Sequence, residues 1–166
     1  FWNYLTIKAN NNITNKINLL IPLIFLILIF IQIIIGAFVS GMDAGKIYNS
    51  WPLMGNTYFP NDNNLINLFK LSAFSDPSLV QFIHRNLAYL ITIYYVYIFY
   101  TVYKNKIYDL YKSINILGIF IITQIVLGIL TIIYGAQIFI ASMHQISSIF
   151  LVSASIYFFY LNTESN

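Results

Sequence analysis

Residues 124–145 read QIVLGILTIIYGAQIFIASMHQ, and this stretch carries the pattern from which the fold can be predicted. An apolar run with Gln124 and Gly128 ends at a tight Gly135–Ala136 turn, and a second apolar run with His144 follows it. Each run belongs to a segment long enough to cross the roughly 30 Å hydrocarbon core of a bilayer as a helix. The stretch therefore predicts two transmembrane helices joined by a short turn, with a histidine near the start of the second helix.

The same arrangement occurs once more upstream. Residues 32–36 read QIIIG where residues 124–128 read QIVLG, and an apolar span with His84 follows. Short apolar repeats also arise by chance, so internal duplication and coincidence both stay open. The predicted fold class is an all-α membrane protein, a bundle of four transmembrane helices. The four predicted spans are Ile17–Val39, Pro77–Tyr103, Ser113–Tyr134 and Gln137–Leu161.

The composition indicates an integral membrane protein. Of its 166 residues 59% are hydrophobic and 8% are charged, and the mean hydropathy is +0.74. A soluble domain would carry about 25% charged residues. The net charge of +3 comes from a few lysines in loops, and it is a topology signal that gives no reason to expect nucleic-acid binding. The absence of cysteine excludes metal sites built from thiolates.

The lysines predict the orientation of the bundle. Lys8 and Lys16 precede the first span, and three more lysines lie near the connection between the second and third spans. The positive-inside rule places both of these regions in the cytoplasm or matrix. The predicted organisation is a polar linker over residues 1–16, a bundle over residues 17–161 with an external loop at 40–76, and a C-terminal tail at 162–166.

The external loop contains apolar residues at roughly helical spacing. Asn and Lys residues separate them, so a short helix lying in the membrane interface is predicted. These apolar residues are Leu65, Ile66, Leu68, Phe69 and Phe74.

His84 and His144 are the only histidines of the chain and lie at matched depth. Each is about seven residues inside its span, so both imidazoles are expected roughly 10 Å below the same surface. Two such histidines on neighbouring helices can ligate a haem iron from both faces. The alternative is a pair of polar residues that hydrogen-bond between helices. A zinc or non-haem iron site is disfavoured, because no carboxylate lies in any span.

The glycines and Arg85 each allow two interpretations. Gly36 and Gly128 lie near the same depth, where they could admit a flat macrocycle or let helices pack closely. Arg85 could reach a haem propionate, for which its guanidinium is suited, or extend to the outer interface. Five further polar residues could hydrogen-bond the ligand imidazoles or simply link helices. They are Gln81, Asn86, Ser142, Gln145 and Ser147.

A longer motif indicates a family. Residues 36–55 read GAFVSGMDAGKIYNSWPLMG, and residues 76–77 (DP), 80–85 (VQFIHR) and 87–89 (LAY) follow. Together with residues 124–128 and His144–Gln145, these segments resemble heme A synthase, in the bacterial and mitochondrial subfamily with a long external loop. The resemblance extends over nearly all of the chain from about Ile17 onward.

The resemblance implies a fold of two similar four-helix bundles and the oxidation of the C8 methyl group of heme O to the formyl group of heme A. This chain resembles the C-terminal bundle, in which His84 and His144 would be the axial ligands of a haem b. Arg85 remains a candidate for haem binding because of its own chemistry. No catalytic residue is assigned to this half. The implied partners are the N-terminal half, heme O, heme O synthase and an electron donor or acceptor.

The implied location is the bacterial inner membrane, or alternatively the mitochondrial one. The isolated chain is expected to be inactive without the N-terminal half. A free-standing bis-histidine cytochrome b and a haem-free membrane scaffold or transporter subunit remain as alternatives.

Overall fold

A computed structural model describes residues 16–164, and this part of the chain forms four α-helices and no β-strand. The helix bounds lie within a few residues of the predicted spans, apart from a start of the third helix five residues earlier, so the predicted four-helix class is confirmed. The predicted linker lies outside the described residues except for Lys16. The helices are α1 (Leu20–Gly41), α2 (Pro77–Lys104), α3 (Tyr108–Ile133) and α4 (Ile138–Glu164).

Local sequence explains where the helices begin and end. Asp76 caps α2 by accepting a hydrogen bond from the Leu79 N–H at 3.0 Å, and Pro77 occupies the first helical position, where its missing N–H costs nothing. Between α3 and α4 the backbone turns through Gly135 and Ala136, both in the left-handed region. Two such residues reverse the chain within a few positions, so α3 and α4 run antiparallel.

The end of α4 differs from the prediction of a tail at residues 162–166. The helix continues to Glu164, and the Asn162 side chain is buried against the start of the described chain. Its amide donates to the Ile17 carbonyl at 3.1 Å, and its oxygen accepts from the Ile17 N–H at 3.2 Å. Lys16 adds a hydrogen bond to the Thr163 carbonyl at 2.8 Å. Asn162 therefore joins the segment before α1 to the last turns of α4 at the inner end of the bundle.

Three of the four helices, α1, α3 and α4, are long and apolar enough to cross a membrane by length and composition. The fourth, α2, has 28 residues and is long enough at 1.5 Å per residue, but its tyrosines, His84 and Arg85 lower its mean hydropathy. It packs along both α1 and α3 as a full member of the bundle.

Each helix packs against two others, so the four helices form a closed ring. The contacting pairs are α1 with α2, α2 with α3, α3 with α4, and α4 with α1. Helices α1 and α3 are therefore diagonal to each other, as are α2 and α4. We call the half of the bundle near the start of α2 the outer half and the opposite half the inner half.

The apolar core occupies the inner half. It is built from the first halves of α1 and α3 and the second halves of α2 and α4. The buried cluster comprises Ile17, Phe25, Ile29, Ile91, Ile98, Val102, Ile107, Leu110, Ile114, Leu117, Ile121, Leu151, Ala154 and Phe158. Among the described residues, α3 beyond Ile121 and α4 before Leu151 contribute no fully buried side chain. The outer half is thus built differently from the inner half.

The external loop contains three short 3₁₀ helices: Ala44–Lys46, Leu65–Phe69 and Leu71–Ser75. Where the sequence predicts one interfacial helix, the structure has two 3₁₀ helices separated by Lys70, whose backbone is extended. The first 3₁₀ helix packs against α1, α2 and α3 at the outer end of the bundle.

The topology can be checked by cysteine labelling, because the chain has no cysteine of its own. We expect Asn56→Cys, in the external loop, to react with a membrane-impermeant maleimide added from outside. Asn105→Cys, in the α2–α3 turn between lysines, should be protected until the membrane is opened. Outside labelling of Asn105→Cys with protection of Asn56→Cys would invert the orientation.

Candidate cofactor site between His84 and His144

The two histidines face the same region of the outer half from diagonal helices. His84 is seven positions after the start of α2 and His144 is six positions after the start of α4, which gives depths of about 10 Å and 9 Å. The predicted matched depth is therefore found, but the helices are diagonal and not neighbouring. Because α2 and α4 are diagonal, the two histidines come from opposite sides of the bundle at nearly the same level.

Each imidazole rests against a glycine of the preceding helix. A Cβ at Gly36 would lie 3.1 Å from Cε1 of His84, and a Cβ at Gly128 would lie 3.3 Å from Cε1 of His144. Both distances are shorter than ordinary van der Waals contact. The sequence suggested that these glycines could admit a macrocycle or let helices pack closely. In the structure the space they leave is filled by the histidine rings.

The glutamines of the repeated motif hold the same two histidines. Gln32 donates to the His84 carbonyl at 3.1 Å, and Gln124 donates to the His144 carbonyl at 3.2 Å. Positions i and i+4 share a helix face, so the glutamine and the glycine of each motif meet one histidine together. Both helix pairs therefore repeat one set of contacts, which supports internal duplication. Sequence reasoning noted the motif but missed this role of the glutamines.

The two histidines differ in one contact. The Gln32 amide nitrogen also lies 3.3 Å from Nε2 of His84, which can accept when the ring proton is on Nδ1. Gln124 instead donates its second hydrogen bond to Ser147 Oγ at 2.6 Å. The two helix pairs therefore share the hydrogen bond from glutamine to the histidine carbonyl. They differ in whether the glutamine also reaches an imidazole nitrogen.

The other polar residues named from sequence mostly link segments. Gln81 donates to the Tyr48 carbonyl at 3.1 Å, and Gln145 donates to Ser40 Oγ at 3.3 Å. Asn86 donates to the Phe82 carbonyl and accepts from the Tyr58 hydroxyl. Ser147 donates to the His144 carbonyl. These contacts match the interpretation that such residues join helices and loop.

Arg85 is 6% exposed and fastens the external loop. Its Nη1 donates to the carbonyls of Ser50 and Leu53 at 2.9 and 3.3 Å, and its Nη2 donates to the Tyr48 carbonyl at 2.9 Å. Arg85 therefore does not extend into solvent. Its Nε is buried and has no hydrogen-bond partner, so part of the guanidinium is left for an anionic group.

The external loop also forms a hydrogen bond with α3. Asn49 donates to the carbonyls of Gly45 and Ile132, both at 3.0 Å, and so connects the loop to the end of α3. Gly45 lies against Ala136 in the α3–α4 turn, where a Cβ on Gly45 would be 3.2 Å away from the Ala136 Cβ. The segment Tyr48–Leu53 is thus held at the outer end of the bundle by contacts with both α2 and α3.

Asp62 supports the loop from outside. It accepts hydrogen bonds from the Tyr48 hydroxyl at 3.0 Å and from Ser78 Oγ at 2.6 Å. Partial burial acts to raise the pKa of Asp62, but these hydrogen bonds outweigh it and hold the pKa below its ordinary value. Burial, with the Asp62 hydrogen bond acting in the same direction, raises the pKa of Tyr48. At neutral pH an ionised Asp62 therefore holds Tyr48 as a neutral donor.

The site fits a cofactor that supplies most of its own metal ligands. Nδ1 of His84 and Nδ1 of His144 are both buried without a hydrogen-bond partner. Within residues 16–164, no three His, Cys, Asp or Glu side chains come together to hold a metal ion. Two opposed imidazoles with no further ligand are the donor set that a haem iron requires, because the macrocycle provides the other four nitrogens.

Over residues 16–164, the fold and site are those of an integral membrane protein with a bundle of four helices and paired histidines in its outer half. The family model described as "Cytochrome oxidase assembly protein" matches residues 1–156. This chain belongs to that family of cytochrome oxidase assembly proteins, the heme A synthase family.

Several curated relatives carry the name heme A synthase. The relative from Pelagibacter ubique is 43% identical over 166 residues, which is 100% of this chain and 48% of the relative. The relative from Rickettsia bellii strain RML369-C is 39% identical over 92% of this chain and 46% of its own length. The relative from Rickettsia felis is 38% identical over 90% and 45%. The chain thus spans about half the length of these relatives. No solved structure matches it.

Alanine substitutions test the contact between glycine and imidazole. We expect Gly36→Ala and Gly128→Ala to lower the thermal unfolding midpoint in detergent, because the new Cβ would press on the histidine ring. Gly41→Ala is the control, since a Cβ there meets nothing within 4 Å. Alanine in a helix is favoured over glycine by roughly 0.5–1 kcal/mol, so the control should be neutral or stabilising. Equal midpoints for all three variants would contradict the contact.

Proposed function

We propose that this chain is the haem b-carrying half of a heme A synthase, corresponding to the C-terminal bundle, and that His84 and His144 are the two axial ligands. The observation that carries the proposal is the placement of these imidazoles on diagonal helices at matched depth, each seated against a glycine. The names of the relatives supply the reaction class, an oxidoreductase that makes heme A.

A haem bound here would transfer single electrons. With imidazoles on both faces, the iron has no open position for oxygen, so electron transfer suits the site better than oxygen activation. The oxidation of the C8 methyl group of heme O to a formyl group would take place in the N-terminal half, with electrons passing between the halves. Its partners would then include an electron donor or acceptor and the heme O synthase that supplies the substrate.

The side chains around the imidazoles position them. Gln32 and Gln124 hold the backbone at each histidine, and Gly36 and Gly128 leave room for the rings. If the imidazoles held a haem, their restricted motion would keep the reorganisation on electron transfer small. The role of these residues is orientation, as is usual for the protein around a cofactor.

Arg85 would act on the cofactor in two ways. Its terminal nitrogens hold the Tyr48–Leu53 segment at the outer end of the bundle, where that segment would limit the access of water. Its Nε is free to donate to a haem propionate, which would bring a carboxylate to an otherwise unpaired part of a buried cation. Binding of the loop and binding of a propionate are compatible, because they use different nitrogens of the guanidinium.

The location that fits this function is the inner membrane of a bacterium. The chain has helices able to span a bilayer, and the named relatives from Pelagibacter and Rickettsia are bacterial. A terminal oxidase that uses heme A would lie in the same membrane.

Replacement of either ligand tests the haem assignment. We expect the purified protein to bind one low-spin, six-coordinate haem b. His84→Met and His144→Met should each change the absorption and electron paramagnetic resonance spectra, because one axial imidazole is lost. Gln145→Ala, next to His144 but bonded to Ser40, is the control and should keep the parent spectrum. Unaltered low-spin spectra in both histidine variants would rule out the bis-histidine assignment.

Product analysis tests the reaction. Cells that make heme O and express only this chain should yield no heme A when their pigments are extracted and separated by chromatography. Co-expression with the N-terminal half of the Pelagibacter ubique relative should yield heme A, and His84→Met should abolish that yield. Heme A or a hydroxylated intermediate from this chain alone would contradict the division of roles between the two halves. A haem-loaded protein that yields no heme A with any N-terminal half would favour a free-standing cytochrome b.

A further inference from the structure

The two consecutive 3₁₀ helices of the external loop expose an unusual amount of apolar side chain. Phe69 is 91% exposed, Leu71 is 90% exposed, and Ile66 is 73% exposed. In a 3₁₀ helix the side chains at i and i+3 eclipse each other, so Ile66 aligns with Phe69 and Leu71 aligns with Phe74. We call the set Leu65, Ile66, Phe69, Leu71 and Phe74 the loop patch. Apolar patches of this kind on a folded surface mark a binding partner.

The loop patch lies at the level where the helices leave the membrane. Phe74 packs against Phe38, with ring centroids 6.3 Å apart, and Phe38 is in the last turn of α1. The second 3₁₀ helix ends at Ser75, and α2 begins two residues later at Pro77. The end of α1 and the start of α2 therefore place the loop patch beside the outer surface of the bilayer.

The patch is continuous with an exposed apolar face of α1. Ile34, Ala37, Phe38, Gly41 and Met42 line an open apolar groove of about 390 Å³ on that face. Gln32 and Gly36, which contact His84, lie on the other side of the helix. The groove and the loop patch thus form one apolar surface that faces away from the cofactor site.

The composition of the segment suits a lipid surface. Residues 63–75 contain no acidic residue, and the polar side chains between the apolar ones are Asn, Ser and Lys70. Lys70 donates to Asn67 Oδ1 at 2.9 Å and so remains beside the polar side of the segment. An apolar face, few charges and one lysine are the features of a segment that lies in the headgroup region.

We propose that the loop patch inserts into the outer leaflet of the bilayer and that the two 3₁₀ helices are an interfacial anchor of the external loop. The anchor would fix the loop relative to the membrane, in addition to the hydrogen bonds of Arg85 and Asn49 that fix it relative to the helices. The exposure of the loop patch, its position beside the membrane helices and its low charge support insertion whether or not the bundle binds haem.

Tryptophan fluorescence measures this insertion directly. Both native tryptophans are first replaced, as Trp2→Phe and Trp51→Phe, and one tryptophan is introduced by Phe69→Trp or, in a second variant, Leu71→Trp. The full chain is reconstituted in vesicles of ordinary phosphatidylcholine and of phosphatidylcholine brominated on its acyl chains. Asn56→Trp in the same background is the control, because Asn56 lies in the tight turn between Met54 and Thr57.

We expect the Phe69→Trp and Leu71→Trp proteins to lose fluorescence in brominated vesicles and to resist quenching by acrylamide. The Asn56→Trp protein should show the opposite behaviour. Strong quenching of all three by acrylamide, with no effect of bromine, would overturn the proposal. Protection from acrylamide without quenching by bromine would overturn it as well, since the patch would then be covered by protein.

Discussion

The contact between a glycine and an imidazole in each helix pair is the interaction on which the outer half of this bundle depends. Gly36 and Gly128 lack the Cβ that would meet the rings of His84 and His144 at 3.1 and 3.3 Å. A larger residue at either position would push the ring out of line or the helices apart. Because the ring fills the space next to the glycine, its orientation is set by backbone, which moves less than a side chain. The glycine contact therefore restricts the position of each imidazole.

The packing of the bundle changes along its length. The inner half is filled by a cluster of buried apolar residues that includes Phe25, Ile98, Leu117 and Phe158. Such packing fixes how the four helices cross, and that crossing in turn sets where the histidines of α2 and α4 point. In the outer half, α3 beyond Ile121 and α4 before Leu151 bury no side chain fully, and a cofactor there would take the place of a core. Burial of the cofactor's apolar faces would then supply the packing that this half lacks.

A buried guanidinium needs hydrogen-bond acceptors, and the external loop supplies three carbonyl oxygens to Arg85. Three carbonyls of the Tyr48–Leu53 segment accept from Arg85, so the desolvation cost of the cation is offset by a loop that would otherwise have free carbonyls. Asn49 and Asp62 fasten the same segment from two other sides. The same hydrogen bonds thus hold the Tyr48–Leu53 segment in place and stabilise the buried charge of Arg85.

Hydropathy and motif spacing were enough to predict the four helices, the location of both histidines near the same end of the bundle, and the family, because they are local properties that need no knowledge of packing. The diagonal placement of α2 and α4, the contact of the glycines with the imidazoles, and the hydrogen bonds of Arg85 to the loop could be seen only in the folded structure. These facts depend on contacts between residues far apart in the chain, such as Gln32 with His84 and Asn49 with Ile132. The loop segment at 65–75 shows the same limit. Its apolar spacing indicated a helix, but hydrogen bonding made it two 3₁₀ helices, which the spacing alone does not distinguish.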